Sequence, residues 1–496
     1  MLFNSFIFIF LFLPLTLIGW YGLNKIHRYK LAQIFLVAMS LWFYAYFNVS
    51  YLPIILVSCF INYFFSYLIT KGISAKAVCA AGCVVNLGIL GYFKYYDFFV
   101  ENINAVLGMN FNLKHILLPL GISFFTFQQL SFVIDRCTGK APHYGFLEYM
   151  NFVTFFPQLI AGPIVLHSEL VPQFKDESKK SFDADSFAQG IAFFVLGLAK
   201  KVLLADSLIK PIEYAFTHVT GLDTPSAILG ILAYTFELYF DFSGYCDMAV
   251  GIGKMFRIEI PDNFDSPYKS ASVKELWRRW HITLGRFFTT YVYFPLGGSR
   301  KGTVRTVINT MTVFLLSGLW HGANWTFVIW GALQGIAISF ETLRDKSRKN
   351  GKTDKKQIKR GFMYRVSQLL TFCYFALSVI FFRSDSVGLA ITYFKQMFSF
   401  CYSGRMFIMT DTLKCPELYM VTKLISMKAP QLVSVANFII FMIIMLICVI
   451  ALAGRRTRVI VENAKWGIGF GFVLAFLFVW SVIALSGVST FLYFNF

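Results

Sequence analysis

Phe314-Leu315-Leu316-Ser317-Gly318-Leu319-Trp320-His321-Gly322-Ala323-Asn324-Trp325 places a titratable imidazole in an apolar stretch with a candidate membrane helix on either side. An ionisable group at membrane depth is costly, so its presence marks a functional site by default. Histidine also exchanges a proton near neutral pH, which suits it to general-base chemistry. Gly318 and Gly322 weaken the helix locally, and non-helical backbone at that depth survives only against protein or a watery cavity. The stretch predicts a broken helix beside a cavity, with His321 either a base or a hydrogen-bonding group between helices.

The rest of the chain sets the solvent around this histidine. Of 496 residues, 57% are hydrophobic and 14% charged, and the mean hydropathy is +0.62, values that exclude an ordinary soluble domain. Apolar runs recur at Leu2–Trp20, Leu31–Phe47, Tyr51–Ile69, Ala77–Phe93, Ile116–Ile134, Phe187–Leu204, Ile228–Tyr239, Val304–Trp320, Trp325–Phe340, Leu369–Phe382, Phe438–Ala453 and Ile468–Leu485. Since about 20 helical residues cross a bilayer, these predict an all-α polytopic membrane protein of roughly ten or more spans, with re-entrant and amphipathic pieces. No soluble catalytic domain can be cut out, and 1–496 reads as one integral membrane domain. Its long polar stretches are Lys175–Ser186, Arg344–Arg360 and parts of Ser384–Gln431.

The net charge of +19 reads as positive-inside topology rather than nucleic-acid binding. Arg344, Lys346, Arg348, Lys349, Lys352, Lys355, Lys356, Lys359 and Arg360 face only Asp345 and Asp354, so the 344–360 loop is assigned to the cytoplasm. Counting outward from it puts 384–431 and both termini on the extracytoplasmic side. The first apolar segment lacks a positive n-region and a small-residue cleavage site, and reads as a retained span. The nine cysteines show no zinc or Cys-x-x-Cys spacing. Cys401 and Cys415 fall in the outer loop, where an oxidising compartment permits a disulfide.

Three further constellations carry candidate chemistry. Lys274-Glu275-Leu276-Trp277-Arg278-Arg279-Trp280-His281-Ile282-Thr283-Leu284-Gly285-Arg286-Phe287-Phe288 reads as a helix with Trp277, Trp280, His281, Leu284 and Phe288 on one face. It is either an interfacial helix whose arginines meet lipid phosphates, or a cavity wall with His281 inward and Arg278 and Arg279 near the phosphates of an acyl donor. Glu237-Leu238-Tyr239-Phe240-Asp241-Phe242-Ser243-Gly244-Tyr245-Cys246-Asp247 sets three carboxylates among aromatics. Asp241 either orients a histidine or forms a structural ion pair. Near the terminus, Tyr493 lies in Phe491-Leu492-Tyr493-Phe494-Asn495-Phe496, as an interfacial aromatic anchor or a hydroxyl that accepts an acyl group. A Gly-x-Ser-x-Gly elbow, a full Walker A loop and a local metal motif are all missing from the sequence.

Trp277-Arg278-Arg279-Trp280-His281-Ile282-Thr283, then Ser317-Gly318-Leu319-Trp320-His321-Gly322, with Tyr239-Phe240-Asp241-Phe242-Ser243-Gly244-Tyr245 upstream, resemble the membrane-bound O-acyltransferase family. Pro119-Leu120-Gly121-Ile122-Ser123-Phe124-Phe125-Thr126-Phe127 and Phe156-Pro157-Gln158-Leu159-Ile160-Ala161-Gly162-Pro163-Ile164 extend the resemblance toward the bacterial branch that includes the membrane subunit of alginate O-acetylation. The resemblance implies a funnel of helices around a tunnel, with His321 as catalytic histidine and His281 as the second. It implies a cytoplasmic acyl-thioester donor such as acetyl-CoA, no bound cofactor or metal, and residence in the bacterial inner membrane. It further implies an extracytoplasmic partner acyltransferase and a cell-envelope polymer as final acceptor, with no nucleic acid. Tyr493 resembles an acyl-relay tyrosine, although Asn495 departs from the acidic residue or Gln expected there. In this reading His321 deprotonates an acceptor hydroxyl, His281 and Asn324 position or stabilise the oxyanion, and Trp280, Trp320, Arg278, Arg279 and Asp241 support substrate or site. The rivals are D-alanyl or lipid acyl transfer by the same histidines, and a transporter or flippase, for which an internal repeat would be expected.

Overall fold

A computed structural model describes residues 1–350, 361–415 and 418–485, the side chains of 348–350, 419 and 421 excepted. Among these residues the regular structure is helical, and the only β pairing is an isolated bridge from Phe264 to Trp280. Among the described residues six helices are long and apolar enough to cross a membrane: Phe8–Lys25, Val49–Thr70, Ala75–Leu107, Trp325–Ser347, Phe362–Arg383 and Pro430–Ala453. The shorter apolar helices Tyr29–Ala45 and Ile468–Ala484 join them. This is an all-α, polytopic membrane protein. Its outward surface agrees: Phe60, Phe64, Val84, Ile439 and Ile443 are exposed although large and apolar, as a lipid-facing surface requires.

The chain forms two compact units. The first comprises residues 1–194 and 245–262 among those described. Phe8, Phe12, Phe43 and Phe156 form its aromatic centre, with ring centroids 5.2–6.2 Å apart. Between its apolar helices, Asn62 donates to Gln129 Oε1 (2.8 Å) and Asn86 Oδ1 (3.0 Å), and Tyr149 donates to the same Gln129 oxygen (3.0 Å). Lipid offers no water to such groups, so they pair with one another and fix the helices in register. The two sequence motifs of this unit meet at Gly121, which has φ +70° and would set a Cβ 2.9 Å from the Leu159 carbonyl oxygen. Only glycine fits that turn and that approach. The apolar run expected from Ile116 therefore becomes helical only at Ile122 and continues to Cys137.

The second unit comprises residues 195–244 and the described residues from 263 onward. Its centre is a helical hairpin of Gly302–His321 and Trp325–Asn350, against which Phe362–Arg383 and the short helix Val273–Arg279 pack. The run expected at Ile228–Tyr239 lies in a helix of 32 residues, Thr224–Met255, that passes straight through the carboxylates. It can do so because Lys201 neutralises Asp241 (2.6 Å) and Asp206 (2.7 Å) in a buried cluster. Residues 384–431, expected as a loop, contain the helices Val387–Met397, Arg405–Asp411 and Tyr419–Lys428. Asp223 anchors this region: Ser226, Ser403 and Arg405 all donate backbone N–H bonds to it. Cys401 is a free thiol, so no bond joins it to Cys415. The helix Trp325–Asn350 runs into the basic segment expected as a loop, and residues 351–360 of that segment lie outside the described residues.

Candidate active site

The hairpin that presents His321 is set by glycines. Gly318 and Gly322, and Gly331 and Gly335, are each four residues apart, the spacing that lets two helices approach backbone to backbone. A Cβ at Gly318 would lie 2.3 Å from the Phe327 carbonyl oxygen, and one at Gly331 would lie 2.3 Å from that of Phe314. Gly318 is therefore a contact between helices and not a break. The helix continues to His321 and ends at Gly322, where the backbone becomes extended (φ −164°). The next helix restarts at Trp325, capped by Asn324, whose Oδ1 accepts from Thr326 N (3.0 Å) and whose Nδ2 donates to Asp385 O (2.9 Å). Both polar ends of Asn324 are thus committed to holding the hairpin turn.

His321 is 2% exposed and enclosed edge-on by Trp320 (4.9 Å between ring centroids), Phe382 (5.1 Å) and Trp330 (5.2 Å). Trp320 in turn stands 5.9 Å from the ring of His281. The two histidines forty positions apart therefore both contact one indole. His281 also meets Phe242 at 4.8 Å. His281 is 1% exposed, and neither of its ring nitrogens has a hydrogen-bond partner among the described residues. That leaves both nitrogens available to a reacting group. Burial pushes its conjugate acid down to about 3, so the ring is neutral.

The expected continuous helix through His281 is interrupted. Val273–Arg279 and Ile282–Phe288 are separate helices, and His281 between them has φ +45° and ψ +53°, a left-handed conformation costing about 1–2 kcal/mol for a residue with a Cβ. The cause is Asn263. Its backbone oxygen accepts from Ile282 N (3.0 Å), and its side-chain oxygen accepts from Thr283 N (3.1 Å) and Thr283 Oγ1 (2.8 Å). Asp265 N also donates to Arg279 O (2.9 Å). This strand-like bracket pulls the chain open at Trp280 and His281 and turns the imidazole toward Trp320. The single aromatic face read from the sequence is lost at that break. Trp280 packs instead with Phe264 (5.1 Å), Phe375 (5.1 Å) and Tyr268 (5.8 Å).

The remaining candidate residues divide between site and scaffold. Asp241 holds Lys201, and the residue after it, Phe242, is the ring against His281, so the ion pair positions the aromatic wall. Arg279 pairs with Glu275 (2.8 Å) and donates to Asp265 O (3.3 Å), while Arg278 is exposed. Glu341 accepts from Val273 N (2.8 Å) and Lys274 N (2.9 Å), tying the short helix to the hairpin. Trp277 donates to Gln334 (3.1 Å), which donates to Ser378 (2.9 Å). Asn263, Phe242, Trp330 and Phe382 were not singled out from sequence. Tyr493 lies outside the described residues. Among the described residues no three His, Cys, Asp or Glu side chains are placed to hold a metal ion.

Residues 137–382, which include both histidines, match the family profile described as "MBOAT, membrane-bound O-acyltransferase family". The chain is 40% identical over 428 residues to the peptidoglycan O-acetyltransferase of Helicobacter pylori, covering 80% of each protein. It is 39% identical over 409 residues to the "Probable alginate O-acetylase AlgI" of Pseudomonas aeruginosa, covering 81% of this chain and 75% of that protein. A more distant similarity, 28% over 244 residues, links it to the teichoic acid D-alanyltransferase of Bacillus subtilis, covering 47% of this chain and 61% of that protein. By these relatives and the profile match, and with both buried imidazoles against one tryptophan inside the matched region, the chain belongs to the membrane-bound O-acyltransferase family.

Proposed function

We propose that this O-acyltransferase takes an acetyl group from a cytoplasmic thioester, acetyl-CoA by chemistry, and passes it across the bacterial inner membrane toward hydroxyls of a cell-envelope polymer. The observation that carries the reading is the string His281, Trp320, His321: two buried imidazoles held within one indole of each other. His321 is the general base. It removes the proton from an acceptor hydroxyl as that oxygen bonds to the thioester carbonyl carbon. The carbon–sulfur bond then breaks, and the departing thiolate takes up the proton that His321 holds. His281, neutral and unpartnered, donates to the developing oxyanion. Tyr493 is proposed as the hydroxyl that first receives the acyl group, on the outer side, before an extracytoplasmic partner acyltransferase passes it to the polymer.

Relatives named for peptidoglycan and for alginate support a polymer acceptor, and the D-alanyltransferase relative supports a second reading in which the acyl group is D-alanine. The test compares ester-linked groups released by mild alkali from peptidoglycan and from exported polysaccharide, in cells carrying wild-type protein or His321→Ala. Acetate lost from one polymer in the variant supports the reading and names the acceptor. Loss of D-alanine supports the second reading, and unchanged esters in both fractions refute transfer by His321.

A further inference from the structure

Three of the nine cysteines meet in the first unit, where the helix Ala75–Leu90 packs on the helix Ile122–Cys137. Two contacts fix their register. Gly82 faces Val133, since an added Cβ would lie 2.7 Å from Val133 Cγ1. Four residues after Gly82, Asn86 meets the Asn62 amide, which also reaches Gln129, four residues before Val133. The two helices are therefore antiparallel. The same register, followed the other way, brings Cys79, about one turn before Gly82, to Cys137, about one turn after Val133. The thiols of Cys83 and Cys137 both lie within hydrogen-bonding reach of Cys79. All three side chains are half-buried, and they are not placed to hold a metal ion. Helix geometry decides which pair can join. Cys79 and Cys83 stand one turn apart on one helix, where Cβ atoms are about 5–6 Å apart, whereas a disulfide needs about 3.5–4.5 Å. Cys137 comes from the facing helix and is its last residue, followed by the exposed turn Thr138-Gly139-Lys140 with Gly139 at φ +74°. Its backbone is free to close the gap, while joining Cys79 to Cys83 would unwind a helix.

We infer that Cys79 and Cys137 are a thiol-oxidation site, forming a reversible disulfide with a small-molecule disulfide as the oxidant. The Cys79 thiolate attacks one sulfur of the oxidant and releases its other half as a thiol. The Cys137 thiolate then attacks the Cys79 sulfur and releases the second half. Two protein thiols lose two electrons and two protons, and the oxidant becomes two thiols. Burial pushes the Cys137 thiol up to about 12 although Arg136 opposes it, so the second attack is slow and quickens as pH rises. Residues 66–80 and 134–145 carry Lys71, Lys76, Arg136 and Lys140 against Asp135, the positive-inside pattern of a cytoplasmic face. A disulfide in that reducing compartment is transient, which suits a redox sensor. The inference is independent of the acyl-transfer reading.

The test incubates the reduced full chain in detergent with oxidised glutathione, alkylates the remaining thiols and reads the unreduced peptides by mass spectrometry. Wild-type protein should give a Cys79–Cys137 link that dithiothreitol cleaves and that forms faster at about pH 8.5 than at about pH 7. Cys83→Ser should keep the link. Cys137→Ser should lose it and carry a glutathione adduct at Cys79 instead. The exposed Cys401 should take up an adduct in every variant, which shows that the reagent is active. Glutathione adducts without a link in wild type, a link between Cys79 and Cys83 alone, or unreacted Cys79 and Cys137 beside a modified Cys401 would each overturn the proposal.

Discussion

Gly318→Ala perturbs the active site without touching a reacting group. The new methyl would lie 2.3 Å from the Phe327 carbonyl oxygen, where ordinary contact begins at 3.4 Å, so the two helices of the hairpin must part by about 1 Å at that crossing. His321 sits one turn away, at the end of the displaced helix. Overpacking of this kind costs about 1–3 kcal/mol, partly offset by the better helix propensity of alanine, worth about 1 kcal/mol. The protein should therefore remain folded. A misplacement of about 1 Å at a reacting group, by contrast, costs about 100-fold in rate. Acyl transfer from labelled acetyl-CoA should fall by about that factor in purified Gly318→Ala, with a melting temperature lowered by only a few degrees. Gly285→Ala is the control, because its added methyl meets nothing closer than the Trp277 carbonyl oxygen at 4.0 Å, and it should keep wild-type turnover. Wild-type turnover in a folded Gly318→Ala protein would refute the idea that this glycine crossing sets the position of His321.

His281→Gly removes the imidazole and relieves the left-handed strain, whereas His281→Ala removes only the imidazole; the glycine variant should melt higher by the equivalent of about 1 kcal/mol, while both lose transfer activity alike. Equal melting would show that Asn263 stores no strain there. Lys201→Met leaves Asp241 buried and Asp206 half-buried without their shared cation, and should destabilise by about 3–5 kcal/mol in chemical unfolding, with adding Asp241→Asn recovering part of the loss. Burial alone would raise the Asp223 carboxyl, but hydrogen bonds from Ser226, Ser403 and Arg405 outweigh it and hold the group below its ordinary 3.8. Its contribution is thus complete above the unfolded value and is lost as pH falls through the lower folded one. Asp223→Ala should be less stable than wild type by about 1–2 kcal/mol at pH 7, and the two melting curves should converge as pH falls through the lowered folded value.

Much of the fold was legible because lipid imposes a simple code. Apolar runs such as Tyr51–Ile69 and Leu369–Phe382 became the helices Leu52–Thr70 and Phe362–Arg383. The code failed where polar groups are neutralised from a distance. Nothing local to Asp241 says that Lys201, forty positions earlier, lets the Thr224–Met255 helix pass through the carboxylates. At the site, His281 and His321 were visible as ionisable groups in aromatic surroundings, but the distance between them was not, because it depends on Trp320 and on a helix–helix crossing. The glycine spacing at 318, 322, 331 and 335 was the available signal for that crossing; Gly318 and Gly322 read together suggested a helix break, which the chain makes only at Gly322. The interruption at His281 was illegible from helical periodicity, since its cause, Asn263, lies outside the helix and acts through backbone pairing.

The central claim is that His321 supplies the base for acyl transfer. Single-turnover transfer from labelled acetyl-CoA by purified wild type and His321→Ala, matched for melting temperature, tests it most directly. The account predicts a rate lower by about 10²–10⁴-fold in the variant, with donor binding retained. Wild-type turnover in a folded His321→Ala protein would contradict it.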